Sequence, residues 1–223
     1  MTWLGDLTTG EVGRGRLLLL PLGSTEQHGP HLPLDTDTVI ATAVAAAAAA
    51  RVPRAVVAPA LAIGAAGEHA GFAGTLSIGT EVLAAAVIEV VRTAGAEFAG
   101  VVVVNAHGGN GDAVQAAVET CRREGRSLTA WHARMADGDA HAGEAETSVM
   151  LAIDPGRVWM DRAEPGDTRP LGEIVDDLRH IGVAGVSANG VLGDPTGASA
   201  RRGADILQRW ITEVVAVSEN MAP

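Results

Sequence analysis

Five side chains able to bind a cation or move a proton crowd into STEQHGPHLPLDTD, residues 24–37: Glu26, His28, His31, Asp35 and Asp37. Two further groups lie downstream. NAHGGN carries His107, and HAGEAET carries His141, Glu144 and Glu146. Imidazole mixed with carboxylate, without thiolate, suits Zn, Mn or Fe(II) better than a cysteine-bound structural zinc. Several carboxylates allow one of them to bridge two cations. Such a pair activates water and polarises a carbonyl, the arrangement for metal-assisted amide hydrolysis. A neighbouring histidine can then pass the proton to the leaving nitrogen.

Three apolar runs must position these groups. Leu17–Leu22 reads as a buried strand and leads into Glu26, His28 and Asp37. Val101–Val104 leads into Asn105 and His107. Leu128–Trp131 leads into His132 and then to His141 and Glu146. Ala55–Ala60 reads as a further short strand. Helices are expected over Thr38–Arg51, Thr80–Ala94, about Ala113–Arg123, Ala145–Ile153 and Ala204–Val217. Residues 64–79 form a Gly-rich loop holding Glu68 and His69, and residues 161–200 read as loop-rich. Strand and helix alternate at short spacing, which implies α/β architecture: a mostly parallel sheet with helices on both faces. Ligands then gather at the carboxyl ends of the strands. A chain of 223 residues with no repeat and no linker is expected to form one domain, residues 1–223.

Composition excludes several functions. A net charge of −11 argues against nucleic acid and anionic membranes as partners. The single cysteine, Cys121, excludes an internal disulfide and fits a reducing cytoplasm. The N-terminal stretch has no basic region followed by an apolar core, so no signal peptide is expected. ATAVAAAAAARV is too short to span a bilayer. Neither GxxxxGK[ST] nor GxGxxG occurs where nucleotide binding would need it. Some candidates have plainer readings. Asp35 and Asp37 can cap the following helix. His31 can be a loop histidine bonded to backbone or a substrate-side group. His132 can support a ligand from behind, and His180 reads as surface.

The stretches LPLGSTEQHGPHLPLDTDT, EHAGFAGTLSIGT, VVVVNAHGGN and HAGEAETSVML together resemble the creatininase family of amidohydrolases, over residues 20–151. The resemblance implies a three-layer α/β/α sandwich and two divalent metal ions per subunit, Zn, Fe(II) or Mn. It also implies homo-oligomers built from dimers, often hexamers. It makes Glu26 and His28 ligands of different metals, Asp37 the bridging carboxylate, and His107 a ligand from the third block. Glu146 closes the second metal site and His141 is the proton shuttle. Glu68 and His69 are candidates for lining the pocket, or a loop salt bridge, and Arg201 or Arg202 for a substrate carboxylate. Creatininase carries a ligand glutamate where this chain has Gly109 and an aromatic residue where it has Gly108, so a different, larger substrate is implied. The likeness extends to members that release a C-terminal Val-Tyr dipeptide from a modified precursor peptide during redox-cofactor biosynthesis. Competing readings are another cyclic-amide or formamide hydrolase of the family, and a non-catalytic metal-binding scaffold.

Overall fold

The computed structural model describes residues 1–134 and 140–221. Strand β1 (Arg16–Leu22) is followed by helix α1 (Thr36–Ala49), strand β2 (Ala55–Val57) and helix α2 (Thr80–Ala94). Strand β3 (Phe98–Asn105), helix α3 (Gly111–Arg123) and strand β4 (Leu128–His132) come next. Helices α4 (Glu144–Ile153), α5 (Leu171–Val186) and α6 (Ala200–Glu219) complete the chain. Among the described residues, four strands form one parallel sheet in the order β2-β1-β3-β4.

The period of two along each strand divides the core into two layers. Leu17 and Leu19 of β1 and Val102 and Val104 of β3 share a buried cluster with Ile40 and Val44 of α1, Met150 of α4 and Trp210 of α6. Leu18, Leu20, Val101 and Val103 point the other way, into a cluster with Leu83, Val87 and Val91 of α2 and Val114 and Cys121 of α3. Both strand faces are therefore covered, as continuous apolar runs require. This is the expected α/β/α sandwich. Cys121 is buried and free, as read from the sequence. Among the described residues, no helix is long and apolar enough to cross a membrane.

Helices α4 and α6 cross very closely. A Cβ at Gly203 of α6 would lie 1.8 Å from the Ser148 carbonyl oxygen of α4. Glycine here sets the interhelical distance, and with it the placement of the helix that carries Glu146. Elsewhere the strands and helices fall within a few residues of the expected bounds, with one exception. The segment read as loop-rich contains α5, a helix with a turn of non-helical backbone at Gly182, φ 68°.

Gly203→Ala is expected to destabilise the fold by about 1–3 kcal/mol through overpacking. Urea denaturation with the slope compared between variants would read this directly.

Candidate metal centre

The loop after β1 carries Glu26 inward. The Glu26 N–H donates to the Leu34 carbonyl at 2.9 Å, which folds the loop back on itself. Asp37 arrives from the first turn of α1 and His107 from the turn after β3. That turn is braced by Asn105, whose Nδ2 donates to the His107 carbonyl at 2.7 Å. His141 and Glu146 flank Ala142, a non-glycine residue at φ 52°. The Ala142 N–H donates to Glu146 Oε2 at 2.7 Å, so this strained corner fixes both side chains.

These residues converge. His28 Nε2 lies 3.3 Å from Asp37 Oδ1 and 3.7 Å from Glu146 Oε1. His107 Nδ1 lies 3.1 Å from Glu26 Oε1 and 3.4 Å from Asp37 Oδ2. Asp37 thus faces two imidazoles through its two oxygens, the placement expected of a bridging carboxylate. His69 Nε2 approaches Glu26 Oε1 at 3.1 Å, and His141 Nδ1 approaches it at 3.8 Å. Glu26, Asp37 and Glu146 are all buried.

The donor set fits divalent cations on three counts. Among the described residues, three compact groups of possible ligands emerge: Glu26–His28–Asp37, His28–His141–Glu146 and Glu26–His69–His141, each with its ligand atoms within 4.8 Å of one another. Both Glu26 oxygens and Asp37 Oδ2 are buried without a hydrogen bond. Nitrogens that crowd a carboxylate without pointing along it have the geometry of ligands around a shared ion. Finally, the outer nitrogens of three histidines face main-chain carbonyls: His28 Nδ1 to Glu26 O at 3.1 Å, His107 Nε2 to Ala65 O at 3.2 Å, and His141 Nε2 to Gln27 O at 2.8 Å. Such anchors orient a ligating imidazole with its lone pair inward.

Without cations, protons balance the carboxylates. Burial disfavours charge on His107, yet Glu26 and Asp37 beside it push its pKa up to about 9. Burial likewise opposes charge on His28, but Asp37 and Glu146 hold it well above the ordinary histidine value. Burial raises Glu146, but His28 brings it down to about 2. Glu26 is held below the usual carboxylate range despite burial, chiefly by His107. Burial lifts Asp37 to about 6. Burial, with His28 nearby, lowers His141 to about 4, so it is neutral near pH 7.

The remaining expected residues fall into place differently. His69 is buried and joins the centre itself, closer than a pocket-lining role required. His31 sits behind the centre, with Nε2 2.8 Å from Thr147 Oγ1. Asp35 is half-exposed, makes no side-chain cap and pairs with Arg157 at 2.6 Å. His132 Nδ1 meets Asn105 Nδ2 at 3.0 Å, behind the His107 turn. Arg202 faces Glu144 at 3.4 Å.

A cavity of about 820 Å³ opens over the centre, with His69, His107, His141 and Glu68 in its wall. Gly108 has open space where a side chain would project. At Gly109 a Cβ would lie 2.1 Å from Glu68 Oε1 and 2.4 Å from His107 Nε2. The Glu68 carboxylate has taken the space that a side chain at 109 would need. Helix α5 forms the outer wall through Leu171, Val175, Leu178, Arg179 and Ile181. The sequence reading has loop here where the structure has helix; Ile174, Leu178 and Ile181 at helical spacing were the available signal.

An α/β/α sandwich with a buried carboxylate–imidazole cluster at the carboxyl edge of its sheet has the donor set that a metal-dependent amidohydrolase requires. The sequence matches the family described as "Creatininase: Creatinine amidohydrolase" over residues 5–218, and the chain belongs to the creatininase family. It is 50% identical over 207 residues to a "Mycofactocin precursor peptide peptidase" of Mycobacterium ulcerans (strain Agy99), covering 89% of this chain and 82% of that protein. The structure described as "Creatininase Mn" superposes with a TM-score of 0.80 at 25% identity, covering 100% of this chain and 99% of the other. A mutant creatininase of "Zn-Zn type" gives a TM-score of 0.79 at 25% identity, covering 99% and 98%.

Two predictions follow from the charge balance. A proton on His107 competes with a cation until the pH passes about 9, so metal affinity should rise with pH across pH 6–9. Calorimetric titration near pH 7 in buffers of different ionisation enthalpy should show protons released on loading; zero release would contradict the assignment. Asp37→Ala removes the carboxylate shared by both imidazole groups and should abolish tight metal retention, read as metal per chain by elemental analysis.

Proposed function

We propose that this chain is a metal-dependent peptidase of 223 residues acting as one catalytic unit, and that it releases the C-terminal Val-Tyr dipeptide from a modified mycofactocin precursor peptide. The observation that carries the reading is the coincidence of the buried carboxylate–imidazole cluster with the floor of the cavity. Relatives named for this peptidase activity support the substrate class. The open space over Gly108 supports a substrate larger than a small cyclic amide.

In this reading Glu26, His28, Asp37, His107 and Glu146 are the residues that would hold two divalent cations, Zn, Mn or Fe(II), with Asp37 between the two imidazole groups. When bound, they supply Lewis-acid polarisation of the scissile carbonyl and a water acidified toward neutrality. His141 is neutral and its Nε2–H is held by the Gln27 carbonyl, so Nδ1 is the atom that takes up a proton. It then delivers that proton to the departing amine. The apolar side chains of α5 accept the substrate's side chains. Arg179, on the same wall, meets its terminal carboxylate; Arg201 and Arg202 are not part of that wall. The reading also carries assembly from dimers, as the family resemblance implies, and a cytoplasmic location, which the single cysteine fits.

The test incubates metal-loaded protein with the modified precursor peptide and, separately, with creatinine. Mass spectrometry should detect the dipeptide from the first and no turnover of the second; creatinine hydrolysis without peptide cleavage would refute the reading. His141→Ala should keep its metal and lose roughly 10²–10⁴-fold in kcat. Arg179→Ala removes an exposed charge and should raise KM by up to about fivefold.

A further inference from the structure

Gln27 lies between two of the acidic and imidazole groups of the centre, yet it does not line the cavity. Its side chain is buried and locked. Oε1 accepts the Gly29 N–H at 2.9 Å, and Nε2 donates to the Gly190 carbonyl at 3.0 Å. A main-chain N–H only donates and a main-chain carbonyl only accepts, so the amide has one orientation. The fit is close: a Cβ at Gly190 would lie 1.9 Å from Gln27 Oε1.

One N–H of the amide remains. Two imidazole nitrogens are within its reach, His69 Nδ1 at 2.9 Å and His141 Nε2 at 3.1 Å. His141 Nε2 already faces the Gln27 carbonyl at 2.8 Å and must donate to it, so it cannot also accept. The spare N–H therefore goes to His69 Nδ1. A neutral imidazole that accepts at Nδ1 carries its proton on Nε2. His69 Nε2 is the atom 3.1 Å from Glu26 Oε1.

We propose that Gln27 is a positioning residue that holds His141 and His69 in opposite tautomers: its main-chain carbonyl leaves the His141 Nδ1 lone pair free, and its side-chain amide puts the His69 proton on Nε2, the nitrogen on the Glu26 side. His28, His107 and His141 are anchored by carbonyls and turn lone pairs inward when neutral. His69 is anchored by a donor and turns a proton inward. It is thereby kept out of metal coordination although it stands among the ligands. The role of His141 in this scheme rests on the proposed hydrolytic reading; the tautomer of His69 does not.

The test uses the full chain loaded with zinc, which is diamagnetic, and labelled with ¹⁵N-histidine. Long-range ¹H–¹⁵N correlation should show His69 protonated on Nε2. Gln27→Glu presents an acceptor in place of the donor and should move that proton to Nδ1, while His141 keeps Nε2–H. Gln27→Met removes the donor with little change in volume. At saturating zinc it should retain parental metal content and lose about 10–100-fold in kcat. A parental His69 protonated on Nδ1, or a Gln27→Met protein with parental tautomer and kcat, would overturn the assignment. Absence of peptide cleavage by the parent would refute the proposed reaction while leaving the tautomer result intact.

Discussion

Burying three carboxylates side by side constrains everything else in this molecule. Glu26 is completely buried, and Asp37 and Glu146 nearly so. Isolated charges in such surroundings are strongly disfavoured, so positive charge must sit between them. Protons on His28 and His107 can provide it, and so can cations. The loop after β1, the first turn of α1, the turn after β3 and the corner before α4 all converge to satisfy this requirement. The parallel sheet makes the convergence possible, because every strand ends at the same edge.

The rest of the fold serves that edge with little chemistry of its own. Alternating leucines of β1 and valines of β3 divide between two apolar clusters and keep the sheet dry on both sides. A glycine in α6 lets α4 approach closely enough to bring Glu146 to the centre. His28, His107 and His141 meet backbone carbonyls at their outer nitrogens, so the orientation of these three rings is set by the main chain.

Much of this was legible in the sequence, for a physical reason. A ligand must stand where an apolar run stops, so Glu26, His28, Asp37, His107, His141 and Glu146 were visible as polar residues beyond strand ends or at the start of a helix. The sheet and its flanking helices followed from apolar runs alternating with helical spacing. What stayed hidden depends on tertiary contacts. His69 sits in a Gly-Ala-rich loop whose composition says nothing of Gln27, 42 residues away. Glu68 filling the space beside Gly109 pairs two residues that no local pattern links. Helix α5 contains glycines at 172, 182 and 185 and buries only Ile174 and Val183, so its apolar stripe is faint. It reads as loop until the cavity it covers is known.

Ala142 adopts a backbone conformation that glycine would accept more readily. One dihedral angle there sets the side chain that would carry protons and the one that would hold a cation. A substitution at this corner would therefore act on both at once. A change that loosened it would weaken acid–base chemistry and ion retention together.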